Sequence, residues 1–235
     1  MSEEKIFRQT FLLDDIFFCA KTDLLQIKIA YARMATVFKY FGGSMTALIL
    51  IFSYLLGSNP NGLIFGKLIW HKDLRKFGSK NIGATNAWRV IGKPAGILIF
   101  LLDFLKGALS IFIAQSFGGS AWVVMFAGLF AIIGHSFSIY LNFHGGKGVA
   151  TGLGVIAVMI PKATLIVFFT WLVIVLITRY VSLGSCIAAA LVPILAFYFN
   201  SETAFIVFGI IAAIFIIRRH RENISRLLRG KENRI

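Results

Sequence analysis

Lys147 stands among glycines in the stretch NFHGGKGVATGLG, residues 142–154. Glycines let backbone N–H groups approach an anion closely, and a helix opening after Gly148 adds the partial positive charge of its N-terminus. Two other segments mix similar ingredients. FGSKNIGATNAWRVIGKPAG (77–96) offers Ser79, Asn81, Thr85, Asn86 and Arg89 and contains no carboxylate. RRHRENISRLL (218–228) puts His220, Asn223 and Leu227 on one face of an expected helix. Arg89 can grip a phosphate through two parallel N–H groups, whereas Lys147 acts as a mobile point charge. Hydroxyls and amides of Ser79, Thr85, Asn86 and Asn223 complete a polar shell, with Gly146 and Gly148 flanking the lysine. The chemistry indicated is the binding of phosphate, at more than one position.

Each segment taken singly has a plainer reading. GGKG alone is a turn, Arg89 and Lys93 alone are topogenic charges, and the basic tail alone is a lipid-contacting helix. His135, at the end of an apolar run, reads as a satisfied or interfacial histidine. What favours a site is that three segments combine amides or hydroxyls with cations on one side of the molecule. Several chemistries are excluded. A P-loop needs Gly five residues before the Gly-Lys pair and Ser or Thr after it, but Leu141 and Gly148 stand there. There is no HExxH, and Asp73 and Asp103 are isolated as candidates for a Mg²⁺ site. No His is followed five residues later by Asp: His71, His135, His144 and His220 lead to Lys76, Tyr140, Val149 and Ser225. No metal site, cofactor or general-base dyad is expected.

The elements that must hold these segments are membrane spans. Of 235 residues, 58% are hydrophobic and the mean hydropathy is +0.82, above the usual apolar fraction of about 45–50% for soluble chains. Apolar runs occupy 45–66, 95–117, 121–141, 152–178, 183–199 and 204–217, at lengths that cross a bilayer. The net charge of +14 gathers between and after these runs. The connection 67–94 opposes Lys67, Lys72, Arg75, Lys76, Lys80, Arg89 and Lys93 to Asp73 alone, and the tail from Arg218 is equally basic. Both belong in the cytoplasm by the positive-inside rule, while the cation-free turns 115–121 and 200–203 suit the outer side. Six spans cannot satisfy this parity. Dividing 152–178 at Pro161-Lys162 gives about seven transmembrane helices, one short or broken, with the N-terminus outside and the C-terminus cytoplasmic. The excess of cations calls for an anionic partner, lipid headgroups or substrate, rather than nucleic acid.

Residues 1–44 form a mixed-charge extension. It reads as an interfacial helix, or as upstream of a start at Met34 or Met45. Residues 45–235 read as a single membrane-embedded domain. Cys19 and Cys186 form no metal or redox pattern.

The segments GSKNIGATNAWRVIGKPAG, GHSFSIYLNFHGGKGVATGLG and HRENISRLLRGKENRI, with SYLLGSNPNGLIFGKL and RYVSLGS, resemble the bacterial acyl-phosphate-dependent glycerol-3-phosphate acyltransferases, the PlsY family. The resemblance runs from about Met45 to Ile235. It implies an all-α, seven-helix enzyme of the bacterial inner membrane, monomeric, with its site at the cytoplasmic side. It implies acyl transfer from acyl phosphate to the 1-hydroxyl of sn-glycerol 3-phosphate, giving lysophosphatidic acid at the first step of phospholipid synthesis. A soluble phosphate acyltransferase would supply the donor. Carried onto this chain, the family's functional groups fall on Ser79, Thr85, Asn86, Arg89, Lys147, His220 and Asn223. Asn81, Gly146 and Gly148 belong to the same phosphate-binding segments. The departures are Lys80 and Asn142, where the family favours Gly, and His144, where it favours Lys or Arg. Lys80 restricts φ more than Gly does and bears on the turn around Ser79. Phe100, Phe104, Phe137 and Phe143 are candidates to line the acyl path. The rival reading is a transporter of a phosphorylated anion, since carriers also hold anions at Gly-rich loops and half-helix N-termini. Against it, the cations lie at one side rather than at mid-membrane.

Overall fold

The computed structural model of the chain describes residues 42–235, and the regular elements among them are helical. The expected interfacial helix and the Met34 start lie outside the described residues. Among the described residues the first helix is α1 (Gly42–Ser58), followed by α2 (Asn61–Trp70); the helix is interrupted at Asn59-Pro60, while Gly43–Trp70 still runs as one span-length stretch, as expected. Pro60 has no N–H to give a helix interior, and the break turns the Asn61 side chain inward, 4% exposed. A 3₁₀ turn at Leu74–Lys76 follows, capped by Asp73, whose carboxylate accepts from the Arg75 backbone N–H at 3.0 Å and from its guanidinium at 2.7 Å. That guanidinium holds the Asp73 carboxyl well below the usual carboxylate range.

Short α3 (Ala84–Val90) leads into long α4 (Lys93–Ser116), then α5 (Ala121–Ser136). Next come α6 (Val149–Met159) and α7 (Pro161–Thr178). They part at Ile160, where Pro161 takes the first position of α7, the place its missing N–H costs least. The division expected near Pro161 is therefore present. The chain closes with α8 (Val181–Tyr198), α9 (Thr203–Arg219) and α10 (Arg221–Leu228), the last two meeting at 59°. Among the described residues, five stretches are long and apolar enough to cross a membrane: Gly43–Trp70, α4, Ala121–Leu141, α7 and α8. Joined to α10, α9 makes a sixth, and α6 is a shorter apolar helix.

Neighbour packing runs α4–α5–α9–α8–α7–α6 and back to α4, a ring of six helices. Outward positions such as Leu176 and Phe197 are exposed and apolar, the pattern of helices that face lipid. Small residues set the close contacts. A Cβ on Gly107 would lie 2.1 Å from the Thr151 carbonyl oxygen, and one on Gly154 1.9 Å from that of Phe104. Thus α4 and α6 meet backbone to backbone, as small residues allow in membranes.

Inside this bundle lies a charged cluster. Lys106 Nζ is 2.9 Å from Asp103 Oδ1 and donates to the Asn59 carbonyl oxygen at 2.8 Å. Asn61 Nδ2 donates to the same carboxylate oxygen at 3.0 Å, and His135 Nδ1 stands 3.7 Å from it. All four side chains are buried.

Candidate functional site

The loop 77–83 is wound around Asn86. Its Nδ2 donates to the carbonyl oxygens of Leu74, Phe77 and Asn81 at 3.1, 3.1 and 2.8 Å, and its Oδ1 accepts from the Ser79 backbone N–H at 2.9 Å. Asn86 is 2% exposed, and these hydrogen bonds shape the loop that presents Ser79. Lys80 takes φ +56° and Gly78 φ +58°. Lysine thus accepts the left-handed backbone that glycine would adopt freely, at a cost of roughly 1–2 kcal/mol. Asn142, the second departure, also sits there at φ +50°. Asn81 Oδ1 accepts from the Gly83 backbone N–H at 2.8 Å and sets up the start of α3.

The glycine loop rests on the end of α5. Gly146 N–H donates to the His135 carbonyl oxygen at 3.0 Å. A Cβ on Gly146 would meet His135 Nε2 at 1.9 Å, so the loop can lie this close only with glycine. Gly148 caps α6 at φ +82°. Arg219 braces the loop from α9, donating to the Gly146 carbonyl oxygen at 3.0 Å, with its guanidinium over the Phe137 ring at 5.2 Å. Lys147 Nζ donates to Asn223 Oδ1. Burial pushes the Lys147 ammonium down to about 8, against the opposing pull of the Glu232 carboxylate.

The third segment is bent where a continuous helix is expected. His220 is the corner between α9 and α10 rather than a helical partner of Asn223. Its Nδ1 lies 2.8 Å from the Ile216 carbonyl oxygen. A carbonyl only accepts, so that nitrogen carries the hydrogen and Nε2 is left as acceptor. His220 and Asn223 are buried, while Leu227 is half-buried.

Ser79, Asn81, Thr85, Asn86, Arg89, Lys147, Gly148, His220 and Asn223 all border one cavity of about 170 Å³. Gly146 holds the floor of the loop beside it without lining it. The opposite wall is apolar, built from Ile156, Val167, Phe168, Trp171, Val192 and Phe208. Of the four phenylalanines considered for an acyl path only Phe100 lines the cavity, while Phe143 is 60% exposed. The arrangement has a cationic, amide-rich head and an apolar body, which suits an amphiphilic anion.

Two features escape the motif reading. Glu232 is buried against the site, its Oε1 accepting from Ser182 Oγ at 2.9 Å and Asn223 Nδ2 at 2.6 Å, its Oε2 from Arg226 Nε at 2.8 Å. Arg89 donates to the carbonyl oxygens of Asn233 at 2.8 Å and Arg234 at 3.3 Å, and burial lowers its affinity for its proton. The available signal was an acid two residues beyond Gly230, one of two in a basic tail.

A model of the glycerol-3-phosphate acyltransferase family matches residues 47–230. The chain is 46% identical over 192 residues to a glycerol-3-phosphate acyltransferase of Aquifex aeolicus, covering 81% of this chain and 100% of that one. It is 42% identical over 191 residues to glycerol-3-phosphate acyltransferase 2 of Moorella thermoacetica, covering 81% and 98%. Among solved structures it resembles the glycerol 3-phosphate form of PlsY (YgiH), an integral membrane glycerol 3-phosphate acyltransferase. The TM-score is 0.78 at 44% identity, covering 81% of this chain and 96% of that one. The lysophosphatidic acid form of PlsY matches with a TM-score of 0.76 at 43% identity, covering 81% and 95%.

Proposed function

The chain belongs to the glycerol-3-phosphate acyltransferase family, and from that membership we propose that it transfers a fatty acyl group from acyl phosphate to the 1-hydroxyl of sn-glycerol 3-phosphate. The observation that carries this reading is the divided cavity, with Ser79, Arg89, Lys147 and Asn223 at one end and an apolar wall at the other. Two anions must be held together against their repulsion. The acyl donor also brings a chain that needs an apolar berth.

In this mechanism the acceptor hydroxyl oxygen attacks the acyl carbonyl carbon, the bond from that carbon to the phosphate oxygen breaks, and phosphate departs with the electron pair. The mixed anhydride supplies a good leaving group, so positioning does most of the work, up to about 7–11 kcal/mol. Arg89 and Lys147 balance the charge that grows on the departing phosphate, while His220 and Asn223 orient the acceptor. Thr85, Asn81 and the Gly148 backbone complete the phosphate shell, around loops that Asn86 and Gly146 hold in place. Ser79 ligates phosphate or the reacting hydroxyl, and a substrate phosphate takes the hydroxyl proton.

The membrane-embedded domain is 45–235, in seven segments with α6 short, the N-terminus outside and the C-terminus inside. The site then opens to the cytoplasm at the bacterial inner membrane, where a soluble phosphate acyltransferase delivers the donor to a monomeric enzyme.

The test is acyl transfer by the purified full chain to labelled glycerol 3-phosphate, with palmitoyl phosphate, palmitoyl-CoA or palmitoyl carrier protein as donor. Lysophosphatidic acid is expected from acyl phosphate alone, with no acyl ester on Ser79 by mass spectrometry. Product from the thioesters would overturn the donor assignment, and an acyl-Ser79 adduct would overturn direct transfer. Folded protein silent with every donor, yet exchanging glycerol 3-phosphate across vesicles, would make it a carrier.

A further inference from the structure

The cavity runs deeper than its polar head requires. Along α8 its lining passes from Ser182 through Ala189 to Val192, and along α9 from His220 through Ala212 to Phe208. These positions recur at helical spacing, so each helix turns one stripe of mostly small residues inward. Beyond Ser185 on α8 and His220 on α9, the lining residues of both helices are apolar. A cavity walled in this way stays dry and takes apolar guests.

Two contacts fix where it ends. Phe208 is the deepest lining residue on α9 and is 1% exposed. Its ring is backed by α5: a Cβ on Gly128 would lie 3.1 Å from Phe208 Cε2 and 2.7 Å from Val155 Cγ1 on α6. Only glycine admits the ring there, and close packing behind the ring keeps it from swinging away from the cavity. At the same level α8 and α9 touch through their backbones, since a Cβ on Gly209 would lie 3.0 Å from Pro193 Cα. Val192 and Phe208, each one residue before these contacts, close the space between the two helices.

The depth can be read from the helices themselves. Phe208 lies twelve residues along α9 from His220, about 18 Å at the rise of a helix. Val192 lies eleven residues along α8 from Val181, about 16–17 Å on the same measure. Half of a bilayer's hydrocarbon core, the reach of one lipid chain, is about 15 Å. The apolar body is thus about as deep as a membrane acyl chain is long.

We infer that this body is a ruler for the acyl donor, in which Phe208 stops the terminal methyl and sets the longest acyl group transferred efficiently. The inference rests on the acyl-transfer reading of the site. Phe208 governs specificity here and takes no part in the chemical step, because it stands at the opposite end of the cavity from His220. Shortening its side chain opens space continuous with the existing cavity, which a longer chain can fill.

The experiment measures kcat/KM with lauroyl, myristoyl, palmitoyl, stearoyl and arachidoyl phosphates for the parent, Phe208→Ala, Phe208→Leu and Ala212→Phe. Each methylene that gains or loses its berth is worth about fourfold. The parent profile is expected to fall steeply beyond one length. Phe208→Ala should move that fall to longer chains, raising kcat/KM about tenfold or more for the first chain the parent rejects, with Phe208→Leu between the two. Ala212→Phe, one helical turn nearer the head, should move the fall to shorter chains. Folded Phe208 variants with the parent's profile would overturn the inference, as would a parent profile that does not fall with length. The parent alone gives a second test. Lysophosphatidic acid carrying a diazirine near the end of a palmitoyl chain is expected to label α8 and α9 around Val192 and Phe208. Labelling confined to outward positions such as Leu176 and Phe197, or none at all, would overturn the inference even if no variant folds. A parent making no product from any acyl phosphate would instead count against the function proposed above.

Discussion

Lys147→Ala is expected to lower kcat/KM for acyl transfer by about 10²–10³-fold, some 2.7–4 kcal/mol, the scale for removing one charge-stabilising donor from a site. The lysine sits on a loop fixed by Gly146 N–H and by Arg219, so its loss removes a charge without removing a support. Burial also makes the group hard to replace, because water entering the gap lacks a fixed charge. The expected signature is a fall in kcat together with a rise in KM for glycerol 3-phosphate, at an unfolding temperature within a few degrees of the parent. An enzyme with parental kcat/KM would remove Lys147 from the site. Arg89→Ala is the less clean experiment, because Arg89 also ties down the tail through Asn233 and Arg234. A lysine in its place would not reproduce the planar fork.

The largest effect on stability is expected at the buried pair. Lys106→Ala should cost roughly 3–5 kcal/mol, because it leaves the Asp103 carboxylate inside the bundle without its counter-charge. Asn61 still donates to that carboxylate, but one neutral amide does not balance a full charge away from water. Replacing both partners, as in the double variant Asp103→Leu/Lys106→Met, should cost less than Lys106→Ala alone, since no charge is then stranded. Thermal unfolding in one detergent, compared across the three proteins, checks this. A double variant less stable than the single would show that the Asp103 carboxylate is not stranded by the loss of Lys106.

The division of the helices is largely legible in the sequence, because its causes are local. Pro161 ends one helix and opens the next whatever surrounds it, and runs of apolar residues read as spans by length alone. Asn59-Pro60 carried the same signal but lay inside an apolar run, and its hydrophobic neighbours masked the break. For the site, Ser79, Arg89, Lys147 and Asn223 were legible by type, since few other residues suit a phosphate. The work of Asn86 was not, because its partners Leu74, Phe77 and Asn81 are joined only once the loop has closed. Glu232 is the harder case. Glu222 and Glu232 look alike as lone acids in a basic tail, and only the turn at Gly230 sends the second one inward.

The shared level of Asp103, His135 and Gly146 has a consequence for delivery. Asp103 lies ten residues along α4 from Lys93, about 15 Å at the rise of a helix. His135 and the glycine loop stand beside it. In the topology proposed above, the floor of the cavity is then sunk about 15 Å below the basic end of α4, at the depth of lipid chains. In the proposed reaction the water-soluble partner descends to meet the acyl group, and the acyl group does not have to be lifted out of the bilayer. The product would form already standing as a lipid stands, chain in the apolar layer and phosphate toward water, and could leave sideways between helices into the leaflet.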